Sequence, residues 1–302
     1  MKSYTKILIT LMIAVLSLVS AKNLYGQETN IKALMKQARE SGLEQSALVE
    51  LQNRAKQRGA DNQQLSTIIK TAISMSKENL PAEVAVQKSL EGFSKGIPAD
   101  RIVAVVKRMH QNLGQAVKII DPWMQKPTVQ EMLNRTTKEM PQKKFRNELA
   151  KAASKSMMQN ISAETVKNVL SQIGNKTVIS HTGPTDIVAA MGILPDLPET
   201  ADPKRSGAFI VRALKGGFKA DALQQLPSAI KMAQHHSELP AASVLEGVAS
   251  QMKKGVPARQ IIQNLFNGKI GGGPQGHKPK GLDHNSNHGN GNGNSHGNGH
   301  GT

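Results

Sequence analysis

The segment from Leu80-Pro81-Ala82 to Lys95-Gly96-Ile97-Pro98-Ala99 recurs, without a gap, as Leu239-Pro240-Ala241 to Lys254-Gly255-Val256-Pro257-Ala258. In both copies the Gly lies sixteen residues after the Leu, and an apolar residue, Ile102 or Ile261, lies six after the Gly. A spacing kept this closely means one local structure built twice. A Gly just past a helix adopts the left-handed conformation without a Cβ penalty, and the apolar residue after it packs back on the last turn. A following Pro cannot continue that helix but suits the first position of the next, where its missing N–H has no partner to lose. Lys-Gly-Ile-Pro-Ala therefore reads as helix, tight corner, helix, with the two helices held against each other.

Looser copies share the six-residue step from corner to first buried position: Gly42 to Leu48, Gly59 to Leu65, Asn160 to Val166 and Gly217 to Leu223. From Gly42 to Gly59 is 17 residues and from Gly59 to Asn79 is 20, a period of one helix per corner. Such periods belong to stacked helical hairpins, each burying its apolar face against its neighbours. Composition agrees, because an aromatic fraction of 3% leaves the core to Leu, Ile, Val, Ala and Met. That set suits close-packed helices better than sandwiches or barrels, which favour aromatic and β-branched residues. The fold class predicted is all-α: two blocks of stacked antiparallel hairpins, short α-solenoid-like repeats, with a disordered C-terminal tail.

Lys2 and Lys6 precede an apolar run from Ile7 to Val19, and small residues follow. This reads as a secretory signal peptide over residues 1–26, cleaved after Ala21 or Gly26. The run is shorter than the roughly 20 residues that span a bilayer. The predicted location is periplasmic or secreted, and with no Cys in the chain stability there must come from packing. Without Lys2, Lys6 and Lys22, 36 basic residues face 22 acidic ones. The excess is spread along the chain, which favours solubility and weak attraction to anionic surfaces over one nucleic-acid groove.

Residues 27–111 read as the first repeat block and 112–174 as a helical middle segment. In the latter, a long helix from Thr128 towards Met158 carries Lys138, Lys143, Lys144, Arg146, Lys151 and Lys155. This is either a solvated helix face or a binding face for an acidic partner. Trp123, beside Pro122, reads as a packing residue that caps the block. Residues 175–206, punctuated by Pro184, Pro195, Pro198 and Pro203, read as a linker. Within it, His181 and Asp186 could be offered as an acid–base pair, but no nucleophile or oxyanion donor accompanies them. Thr185 or Asp186 as the N-cap of a short helix explains the same residues. Residues 207–268 read as the second repeat block. The adjacent His235 and His236 point in different directions on a helix and are poor joint ligands.

Residues 269–302 turn to Gly, Asn and His and cannot bury enough surface to fold. Their His277, His284, His288, His296 and His300 could take up nickel, zinc or copper, because neutral imidazole suits those ions.

The segments Lys95-Gly96-Ile97-Pro98-Ala99-Asp100-Arg101-Ile102 and Lys254-Gly255-Val256-Pro257-Ala258-Arg259-Gln260-Ile261 resemble helical-repeat segments of uncharacterised exported bacterial proteins. The resemblance covers the two hairpins and implies an architecture without an activity. With no catalytic spacing and no cofactor motif in the chain, the leading expectation is a non-enzymatic scaffold or interaction module of the bacterial envelope with a protein partner. The alternatives are transition-metal binding through the tail, or attachment to an anionic polymer or membrane surface through the excess charge.

Overall fold

The structure is a computed structural model and describes residues 31–198 and 203–270. The predicted signal peptide, and the tail beyond Ile270 with all five of its histidines, lie outside the described residues. Helices make up the fold, and no strand occurs among the described residues. In chain order they are α1 (31–40), α2 (Gln45–Gln57), α3 (Asn62–Lys77), α4 (Glu83–Ser94), α5 (Ala99–Met124), α6 (Pro127–Arg135) and α7 (Gln142–Met158). There follow α8 (Ala163–Ile173), α9 (Lys176–Ile179), α10 (Pro184–Ile193) with a 3-10 turn at Leu194–Asp196, α11 (Pro203–Lys215), α12 (Ala220–Ser237), α13 (Ala241–Lys253) and α14 (Ala258–Phe266).

The corners form as the repeat predicts. Gly42, Gly59, Asn79, Gly96, Asn160, Gly217, Glu238 and Gly255 all take positive φ, between 55° and 88°. The residue six further on is buried every time, at Leu48, Leu65, Ala85, Ile102, Val166, Leu223, Val244 and Ile261. Each corner but one is closed by a backbone bond that satisfies a carbonyl of the last turn, such as Ile97 N–H to Gly92 O at 3.0 Å and Val256 N–H to Gln251 O at 3.1 Å. At Glu238 the N–H of Leu239 donates instead to Ser237 Oγ at 3.3 Å. One detail differs from the sequence reading. Pro98, Pro240 and Pro257 sit one place earlier than the first helical residue, with extended ψ of 139° to 150°. That is the ψ an N-cap adopts, and the residue after each Pro opens the helix.

Alternate helices stack into rows. α3, α5, α7, α10, α12 and α14 pack each against the next, while α2 lies on α4 and α8 on α11 on α13. A single contiguous apolar core runs from Ile31 to Ile270. Over its described residues, 175–198 and 203–206, the segment 175–206 is therefore not a linker. It holds α9, α10 and the start of α11, and α10 is the piece that joins α7 to α12. Two of its prolines mark helix starts, Pro184 opening α10 and Pro203 opening α11. The weak periodicity that suggested a linker comes from burial on several sides: Ile187, Ala189, Ala190, Met191 and Ile193 are all in the core, and a helix packed all round has no polar stripe.

The other expected boundaries move as well. α5 runs unbroken through residues 111 and 112 and through Pro122 to Met124, so Trp123 belongs to a helix and not to a corner. Trp123 is buried with its ring 6.3 Å from that of Phe145 on α7. The expected helix from Thr128 to Met158 is two helices, because Pro141, with φ −58° and ψ 142°, stands between them as the N-cap of α7. Lys269 and Ile270, expected as the start of the tail, are ordered against the second block. Ile270 is buried over Gly247, where a Cβ would lie 2.5 Å from it, and its carbonyl accepts from Gln251 Nε2 at 3.3 Å.

Candidate functional site

The six basic residues singled out from sequence do not form one face. Lys138 falls in the turn between α6 and α7, and Lys143 and Lys144 are exposed on the first turn of α7. Arg146 is committed inward: its Nε and Nη2 clasp the two carboxylate oxygens of Asp121 at 2.6 and 2.9 Å, and Nη1 donates to Asn79 O at 2.8 Å. One guanidinium thus ties α7 to α5 and to the α3–α4 corner, using the fixed fork that suits a carboxylate. Lys151 pairs with Glu148 at 2.6 Å, and Lys155 with Asp196 at 2.7 Å.

Lys151 and Lys155 nevertheless share a place with residues that the sequence did not bring forward. They line an open groove of about 640 Å³ between α7 and α12, floored by α10. α12 contributes Gln224, Pro227, Ser228 and Lys231, which at spacings of three and four residues form one stripe of that helix. α10 contributes Val188, Ala189, Gly192 and Ile193. A methyl group placed on Gly192 would meet no atom within 4 Å, so the groove is open directly above it. A second groove of about 660 Å³ lies on the other flank of α12, where Asp221, Ala222 and Gln225 face Arg259, Ile262, Gln263 and Phe266 of α14. Phe266 is 37% exposed there, unusual for a large apolar side chain in this molecule. The stripe on α12 was legible as periodicity, but nothing in the sequence says which helices face it across the stack.

His181 and Asp186 are not an acid–base pair. Asp186 is neither the N-cap of α10 nor free, since Gly183 is the N-cap and Asp186 stands at the third helical position. Its buried carboxylate accepts from Gly183 N–H at 3.0 Å, from Ala220 N–H at 2.9 Å and from Lys219 Nζ at 3.0 Å. It therefore caps α10 and α12 together. His181 is exposed and bonds through its backbone, its carbonyl accepting from Lys219 Nζ at 2.7 Å and its N–H donating to Val178 O at 3.3 Å. Thr185 is no cap either, and its N–H is served by Glu139 Oε1 at 3.2 Å.

Among the described residues, two carboxylates have shifted titration. Glu91 is pulled from 4.5 down to about 2, first by the hydrogen bond from Lys88 and then by that from Lys95. Glu78, at the end of α3, is lowered chiefly by its hydrogen bond with His110, 2.9 Å away on α5. Glu78 joins α3 to α5, Glu91 is held within α4 and its cap, and neither lines a groove described above. Among the described residues no three His, Cys, Asp or Glu side chains come together as metal ligands, and the rings of His235 and His236 stand 6.0 Å apart and nearly perpendicular. No helix among the described residues is long and apolar enough to cross a membrane.

No protein-family model, curated protein or solved structure matches this chain.

Proposed function

We propose that the protein is an exported, non-enzymatic helical-repeat scaffold of the bacterial envelope that binds a protein partner along the face formed by α7, α10, α12 and α14. The observation that carries this reading is the pair of grooves sharing α12, which make an extended and partly apolar surface out of stacked helices. Stacks of this kind recognise partners over many side chains and need no single motif. Export rests on Lys2, Lys6 and the apolar run from Ile7 to Val19.

The test is affinity capture from the native envelope fraction, using the mature chain and a chain ending at Ile270, each washed at low and high salt. Ending there keeps the contact of Ile270 with Gly247. One protein retained by both chains through high salt is the expected result. Capture of salt-labile polyanions alone would favour charge-driven attachment, whose affinity falls steeply as salt screens it. Loss of all binding with the tail would move the function to residues 271–302 and their histidines.

A further inference from the structure

We propose that the groove between α7 and α12 is the docking site for an extended peptide segment that carries an acidic side chain, with Lys231 as the residue that receives its carboxylate. The inference rests on the binding-module reading above and narrows it to one site and one ligand chemistry.

Charge is the first argument. Five ionic side chains line the groove, and four are paired within it: Lys151 with Glu148 and Lys155 with Asp196. Lys231 is exposed and has no ion-pair partner among the described residues, so the site presents one uncompensated positive charge. A single acidic side chain complements it. A dense polyanion would have to lie against Glu148 and Asp196 as well, and like charges at close range are costly.

The floor is the second argument. Val188, Gly192, Ile193 and Pro227 give an apolar base, with open space above Gly192 for a main chain to approach closely. Such a base packs against the apolar side chains that a peptide brings and a polyphosphate lacks. The stripe from Gln224 to Lys231 spans about 10 Å of helix, the length of about three residues of extended chain.

The test is selection of a phage-displayed library of random linear peptides on the mature chain, followed by affinity measurement against three variants. G192W fills the groove, K231E reverses its free charge, and K70E reverses an exposed charge on α3 that lines neither groove. The circular dichroism melt of each variant reports whether it has folded. Enriched peptides should carry Asp or Glu, bind K70E as well as the parent, lose about tenfold on K231E and show no measurable binding to G192W. Should G192W fail to fold, K231E decides alone. Enriched peptides without acidic residues, or with equal affinity for the parent and K231E, would overturn the proposal. So would polyphosphate that binds the parent and is lost on K231E while no peptide is enriched. If G192W and K231E still capture the envelope partner at parental strength, the groove is not the site and the scaffold reading survives; if the parent captures none, that reading falls too.

Discussion

At the scale of single residues, the two copies of the hairpin differ in a way that stability can read. The corner filled by Asn79 in the first copy is filled by Glu238 in the second, with φ of 55° at both. Asn adopts the left-handed region at less cost than Glu, and Glu238 is exposed. E238N should therefore raise stability by about 0.5–1 kcal/mol, read as an upward shift in the thermal midpoint. Asp186 is the opposite case. D186A leaves the N–H groups of Gly183 and Ala220 without their acceptor, while the exposed Lys219 ammonium keeps the His181 carbonyl, and should cost about 1–3 kcal/mol by urea denaturation. Glu91 bears on pH. Because its folded carboxyl titrates at about 2 rather than 4.5, its contribution is complete above 4.5 and is lost as the pH falls from there towards 2. E91Q should change the neutral-pH midpoint by no more than about 0.5 kcal/mol, since Glu91 is exposed, and should flatten the acid limb between those values. An unchanged acid limb would dissociate Glu91 from acid sensitivity.

At the scale of helices, the recurrent corner does most of the organising. G96A and G255A force a Cβ into the left-handed region at equivalent places, so each should destabilise by about 1–2 kcal/mol and by similar amounts. A large inequality would mean that the two hairpins are not energetically equivalent, whatever their sequences share. The corners were legible in the chain because Gly, the apolar residue beside it and the buried position six residues later are all local. α10 was not legible, for the converse reason: its residues are buried by α7 on one side and α12 on the other, so its environment lies far away in sequence. The split of the expected helix from Thr128 to Met158 could have been read from Pro141, whose restricted φ makes it a natural N-cap. The candidate groove was half legible, since Lys151 and Lys155 stood out as charges while Lys231, Gly192 and Pro227 gained their meaning only from being brought together.

At the scale of the whole molecule, the continuous core predicts how the stack unfolds. A chain consisting of residues 207–270 loses the faces of α8 and α10 on which α11 and α12 rest, and should show weak, non-cooperative helical ellipticity. In the intact chain the single Trp, buried near the middle of the stack, reports on the region that joins the two ends. Its fluorescence and the far-ultraviolet ellipticity should change together in urea, and separated midpoints would show that the two ends unfold as independent bodies. The sequence by itself determined that this protein is helical, where its corners fall and which residue after each corner is buried, because those depend on φ, on capping and on a period of a few residues. Only the tertiary structure decided that the repeats make one stack rather than two, that α10 is its joint, and that Lys231 has no ion-pair partner among the described residues beside two satisfied ion pairs. Those depend on which helices meet across the stack, and that is set by the packing of side chains distant in sequence, which no local pattern encodes.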